Sequence, residues 1–108
     1  MPLYRDSENS FPITIIDRDT GEALDISSYV LRLEMNQSGC PTVTLTMGDG
    51  LAFDDDGTDG IFNVTISKAK INQFSSGDVR VRVFNDAGSD PVLVAEGGDM
   101  IEGKRFDA

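Results

Sequence analysis

Hydrophobic residues recur at every second position in several short segments of this 108-residue chain. The clearest segment runs from Tyr29 to Met35, where large apolar side chains alternate with Val30, Arg32 and Glu34. The same pattern appears in Val43 to Met47, Phe62 to Ile66 and Val79 to Val83. Successive side chains of a β-strand point to opposite faces, so a period of two predicts strands with one buried face.

Turn residues separate these segments. Clusters of Gly, Asp, Asn and Pro occupy Asp17 to Gly21, Asn36 to Pro41, Asp54 to Gly60 and Asn85 to Pro91. Phe11 to Ile16 and Val92 to Glu96 add two strand-like segments, and Leu51 to Phe53 is interpreted as a short apolar bridge. About seven strands with turn signals every 8 to 12 residues are typical of a sandwich. The predicted fold is therefore an all-β, antiparallel Ig-like β-sandwich.

Two local features modify this pattern. Ser67 suits the N-cap of a helix, and Ile71 and Phe74 are spaced three apart, which predicts one short helical turn over Ser67 to Phe74. Gly97-Gly98 predicts a bulge or bend in the last strand. We expect one domain over residues 11–103, a flexible N-terminal arm over residues 1–10 and a short C-terminal tail over residues 104–108.

Composition excludes several classes of function. Nineteen acidic residues against nine basic ones give a net charge of -10, which opposes binding to nucleic acid and to anionic membrane surfaces. The chain has no His, so a Ser/His/Asp or Cys/His catalytic arrangement is excluded, and Cys40 is the only cysteine, so no intramolecular disulfide forms. We expect a protein that is not an enzyme, with no catalytic residue, no cofactor, and no nucleic-acid or membrane partner.

The acidic segment around Gly57 is a weak candidate for a Ca²⁺ site. Asp54, Asp56 and Asp59 supply the clustered carboxylates that hard cations prefer. Counted from Asp54, however, the twelfth position of an EF-hand loop is Thr65 instead of the bidentate Glu that the motif requires. A solvated loop between two strands is the favoured interpretation, because Asp and Gly also make turns. A metal-dependent hydrolase at this loop stays an alternative.

Four basic residues form the only local concentration of positive charge that the sequence pattern singles out. Lys68 and Lys70 belong to the predicted helical turn, and Arg80 and Arg82 alternate with valines on the following strand. These residues are candidates for binding an acidic partner surface. Alternation on an exposed strand face accounts for the arginines equally well.

The segment from Asp25 to Gly103 resembles a small Ig-like domain that recurs in tailed bacteriophages and prophages. The order of its parts carries the resemblance: the strand at Tyr29 to Met35, the strand at Val43 to Met47, the strand at Ile61 to Ile66, the helical segment, the Gly77-Asp78 pair that enters the next strand, and the closing Ala95-Glu96-Gly97. The family usually has Leu-Pro before that Gly, where this chain has Phe74-Ser75-Ser76, and a tyrosine where it has Val79.

The resemblance implies a minor structural protein of the virion, assembled in the bacterial cytoplasm and placed in the tail, baseplate or neck. Its partners would be other virion proteins, and several symmetric copies would be present in each particle. The alternative is a module that binds host-surface glycans or decorates the capsid. Sugar sites usually stack rings on exposed aromatic side chains, and the chain has no Trp.

Overall fold

A computed structural model describes the chain over residues 3–102, and its side chains over residues 3–97. The strands in this range are β1 (Leu3–Tyr4), β2 (Asn9–Thr14), β3 (Leu31–Asn36), β4 (Val43–Met47), β5 (Gly50–Phe53), β6 (Ile61–Ile66), β7 (Gly77–Asn85) and β8 (Val92–Glu102). One helix, α1 (Lys68–Ile71), lies between β6 and β7. The predicted all-β class with one short helical turn is confirmed.

The described strands belong to one sheet in the order β1-β8-β7-β3-β4-β5-β6-β2. Most neighbours are antiparallel, as predicted, but β1 pairs with β8 and β4 pairs with β5 in parallel. Hydrogen bonding continues across the whole sheet, which curves into a half-barrel. The strands therefore form one curved sheet where two separate sheets were expected.

The every-second-residue pattern decides which face of the sheet is buried. In β3 the side chains of Leu31, Leu33 and Met35 are buried, whereas those of Arg32 and Glu34 lie on the opposite face. β6 repeats this arrangement and contributes Phe62, Val64 and Ile66 to the same core. We call the core-lining side the inner face and the other side the outer face. Each large buried side chain stabilises the fold by roughly 1.5–3 kcal/mol.

The predicted helical turn is confirmed in a shorter form. The Ser67 hydroxyl accepts a hydrogen bond from the Lys70 backbone N–H at 3.3 Å, which caps the first turn. Ile71 and Phe74, the two apolar residues of the pattern, are both buried. Over residues 3–102 no helix has the length and apolar character needed to cross a bilayer.

The prediction of a flexible arm over residues 1–10 is corrected for residues 3–10. Leu3 is 1% exposed, and β1 pairs with the end of β8. The Asp6 backbone N–H donates to Asn72 Oδ1 at 2.8 Å, and Asn9 begins β2. Burial of one large apolar side chain and hydrogen bonds to the rest of the domain hold this segment in place. Residues 1, 2 and 103, and the tail predicted over residues 104–108, lie outside the described residues.

The irregularity in the last strand does not lie where the sequence placed it. β8 continues through Gly97–Gly98, whereas the register against β7 shifts between Val83 and Phe84. Val83 pairs with Ala95 and Phe84 pairs with Leu93, so the bulge falls at Val94. The prediction of a bulge or bend at the glycine pair is therefore wrong.

Candidate functional site

The four basic residues singled out by the sequence do not form one free positive patch. Arg80 Nη2 donates to Glu96 Oε2 at 2.8 Å, and Arg82 Nη2 donates to Glu34 Oε1 at 3.2 Å. Lys70 Nζ lies 3.8 Å from a carboxylate oxygen of Asp49. Lys68 has no ion pair with a residue that the structure describes. Three of the four charges are thus already opposed within the domain.

A charged stripe on the outer face of β3 and β7 consists of Arg32, Glu34 and Arg82, together with Asp86 just after β7. Arg32 contacts Glu34, and its Nε donates to Asp86 Oδ2 at 2.8 Å. Its guanidinium lies 4.2 Å from the centre of the Phe84 ring, within the range of a cation–π contact. The hydrogen bond to Asp86 is the main cause that raises the pKa of Arg32. Residues with opposite charges therefore satisfy one another along this stripe, which reduces its attraction for an acidic partner.

The acidic loop uses its carboxylates for local turns. Asp54 Oδ1 accepts from Asn63 Nδ2 at 3.1 Å, and Asp59 Oδ1 accepts from the Ile61 backbone N–H at 3.1 Å. Asp56 Oδ1 accepts from the side chain and backbone of Thr58 at 2.6 and 3.0 Å, which lowers the pKa of Asp56. Among the described residues, no group of three or more acidic, His or Cys side chains is arranged to hold a metal ion.

An apolar groove lies between β2 and the pair β7–β8, where the two ends of the curved sheet approach each other. Residues 11–15 form one wall, and the other wall consists of Val81 and Val83 from β7 with Ala95 to Glu96 and Gly97 from β8. Its cavity volume is about 360 Å³, near the lower end of the range for ligand pockets. The pattern of the sequence does not predict this groove.

Small residues on β8 leave the space that the groove occupies. Ala95 pairs with Val83, and Gly97 pairs with Val81. Directly paired residues of neighbouring strands share a face, so these two positions of β8 project toward the inner face beside the valines. The methyl group of Ala95 and the hydrogen of Gly97 fill little of the space opposite Phe11 and Ile13. The sequence signal for the groove is thus a pair of small residues at alternate positions of a strand.

The groove is bordered by two strand edges with unused hydrogen-bonding capacity. β2 pairs with β6 on one side and is the last strand of the sheet on the other. The outer edge of β8 pairs with β1 only at Ile101 and Glu102, so Val92 to Asp99 have no partner on that edge within residues 3–102. Val92 and Leu93, at the beginning of β8, are 57% and 48% exposed. Exposed apolar edges of this kind are a template for pairing with another chain.

A scan against protein-family models and a search of curated proteins found no match to this sequence.

Proposed function

We propose that the protein is a non-enzymatic assembly protein that binds another protein through this groove. The observation that carries the proposal is an apolar groove bordered by two strand edges. Within residues 3–102, β2 has no strand beyond its free edge, and residues 92–99 of β8 pair with no strand on their outer side. Main-chain groups on such edges bind extended segments, and neighbouring pockets accept their alternate side chains. A site of this design binds polypeptide in preference to small polar metabolites, because its recognition groups are backbone amides and carbonyls.

The carboxylates and basic side chains support a binding role over a catalytic one. The sequence has no His, which removes the commonest general base. Asp56 accepts hydrogen bonds from Thr58 in its own loop, and Asp54 and Asp59 accept hydrogen bonds from the adjoining strand β6. Arg80 and Arg82 are both engaged in ion pairs on the outer face. None of these side chains lines the groove.

On the basis of the resemblance to a bacteriophage family, we propose that this activity takes place in a virion. On that proposal the protein is a minor structural component of the tail, baseplate or neck, present in several symmetric copies that contact other virion proteins. The Ig-like relationship belongs to the same proposal, and it is supported by two ends of a curved sheet that face each other, as the sheets of a sandwich do. The glycan-binding alternative gains no support, because none of the aromatic side chains within residues 3–97 is mostly exposed.

Analysis of purified particles tests this function. Phage particles from the strain that encodes the chain are banded by density and examined by quantitative mass spectrometry and electron microscopy. We expect the polypeptide in a fixed ratio to the other tail, baseplate or neck proteins. Particles from a strain lacking the gene serve as the control and are expected to be incomplete at that position. Intact, infectious particles without the polypeptide would refute the proposal.

A further inference from the structure

We infer that the groove takes one extended, basic segment of a partner protein, which pairs with the outer edge of β8 as an added strand. This inference rests on the proposed function and names the chemistry of the segment that is bound. Three features of the described residues carry it: a strand already paired on the same edge, vacant space on the inner face, and the charge around the groove.

The pairing of β1 shows how the outer edge of β8 accepts a strand. Leu3 pairs with Ile101 and Tyr4 with Glu102 in parallel, and the Leu3 side chain is almost fully buried. The same edge continues from Asp99 back to Val92 without a partner among the described residues. A bound segment parallel to β8 would lie in line with β1 and extend a pairing that is already established.

The shape of the groove matches alternate side chains of such a strand. A Cβ placed on Gly97 would have no heavy atom within 4 Å, so there is open space at this position. Phe11 and Ile13 on the opposite wall offer apolar contacts to residues that point inward. Small or medium apolar residues at every second position of the segment fit this volume.

The edge of β2 is less suited to hydrogen-bond the segment. β2 pairs with β6 over all six of its residues, and Pro12 lies in the middle of that ladder. Proline has no backbone N–H and is tolerated in a sheet where the missing donor would face away from the neighbouring strand. The free edge of β2 therefore lacks a central donor. The segment is expected to pair with β8 and to contact β2 through side chains.

The charge around the groove favours a basic segment. Residues 5–8, 15–19 and 86–91 adjoin β2 or β8 along the chain, and together they contain six carboxylates and two arginines. One of these carboxylates, Asp86, is already paired with Arg32, which leaves five. Glu96 also borders the groove, but it pairs with Arg82 on the outer face, where its carboxylate accepts a hydrogen bond from Arg80. The chain as a whole carries a net charge of -10. Complementary charge accelerates encounter and selects partners, and the effect weakens with salt.

A displayed peptide library provides the probe. Each nine-residue peptide has Ala, Val, Ile, Leu or Thr at alternate positions and Lys, Glu or Ser at the others, and the full chain is the bait. We expect enrichment of Lys at the variable polar positions. An enriched peptide is expected to slow backbone hydrogen exchange in residues 92–99 and to bind at least tenfold more weakly when prolines replace its alternate residues. Enrichment of Glu, or no enrichment, overturns the inference.

A matched pair of glycine variants locates the binding site. Gly97→Phe fills the groove at a position with open space and without a left-handed backbone, so we expect a folded protein with at least tenfold weaker binding. Gly88→Phe introduces the same side chain in the β7–β8 turn, where the nearest atom is 3.9 Å from the added Cβ, and is expected to bind normally. Equal binding by the two folded variants, or protection from exchange along β2 in place of β8, contradicts the inference.

The two proposals fail separately. If the polypeptide is present in particles but the library yields no basic segment on β8, the assembly function stands and the assigned partner chemistry is wrong. If basic peptides bind at Gly97 but the polypeptide is absent from particles, the groove chemistry stands and the virion role is wrong.

Discussion

Replacement of Gly60 by alanine tests whether the wall of the groove depends on a close backbone contact. Gly60 has a φ of +77°, and a Cβ there would lie 2.8 Å from the carbonyl oxygens of both Ile15 and Leu24. The Ile15 backbone N–H donates to Gly60 O at 2.9 Å, and the Leu24 N–H donates to Ile15 O at 2.9 Å. Gly60 therefore fixes the end of the wall formed by β2, and an added methyl group would push these hydrogen-bonded groups apart.

The expected cost of Gly60→Ala combines two contributions. A left-handed backbone costs a residue with a Cβ about 1–2 kcal/mol, and two weakened hydrogen bonds cost about 1 kcal/mol each. The added Cβ also restricts the unfolded chain, which offsets the loss of stability by roughly 0.5–1 kcal/mol. The free energy of unfolding should fall by about 2–3.5 kcal/mol. The control is Gly39→Ala, where φ is +82° but no heavy atom lies within 4 Å of the added Cβ, so we expect a loss of only about 1 kcal/mol.

Urea unfolding followed by circular dichroism measures both variants. If the slope of the transition is the same as for the parent chain, the difference in midpoint reports the difference in stability. Gly60→Ala is expected to be clearly less stable than Gly39→Ala. Equal losses in the two variants would show that backbone strain accounts for the whole effect and that the close contact contributes nothing.

Three further predictions concern the first strand and the outer face. Leu3→Ala should lower the free energy of unfolding by about 2–4 kcal/mol, because Leu3 is buried. The control is Ile16→Ala, where the residue is 57% exposed and the change should be less than about 0.5 kcal/mol. Equal effects of the two substitutions in urea unfolding would mean that β1 does not stabilise the domain. Arg32→Ala should cost about 1–2 kcal/mol through its lost charged hydrogen bonds, and a cost near zero in the same assay would contradict the network described for the charged stripe. Arg80→Ala should raise the pKa of Glu96 toward 4.5, because the hydrogen bond from Arg80 is the main cause of its lowered value. A carboxylate whose pKa is lowered in the folded state contributes stability that is lost as the pH falls below about 4.5, so the variant should lose less stability on acidification in that range. A carboxyl-carbon NMR titration in which the pKa of Glu96 is the same in both proteins would disprove the contact.

The sequence pattern predicts what depends on one strand alone. In β3 and β6 the alternation of apolar side chains indicates correctly which residues are buried, since that choice follows from the period of two. Ser67 with Ile71 likewise predicts α1, because capping and helical spacing are local. Leu3–Tyr4 is too short to show any period, and its strand exists only because the end of β8 lies beside it.

The candidate site depends on relations between strands, and these are not visible in one segment. The groove requires β2 to approach β7 and β8, which follows from the curvature of the whole sheet. Arg82 lies beside Glu34 because β3 and β7 pair in one particular register, and that register is not visible in either segment alone. The bulge at Val94 similarly depends on how β7 and β8 align.

The parallel orientation of β1 has a practical consequence for any polypeptide joined ahead of Leu3. Because β1 and β8 run in the same direction, an extension that continued the line of β1 would pass along the outer edge of β8 toward Ala95, and on that edge no described residue pairs with residues 92–99. A short covalent linker raises the local concentration of the attached segment to roughly the millimolar range. On the proposed pairing of a partner segment with β8, a purification tag that followed this line would compete with the partner, and a partner segment fused in its place would bind more tightly than the free segment.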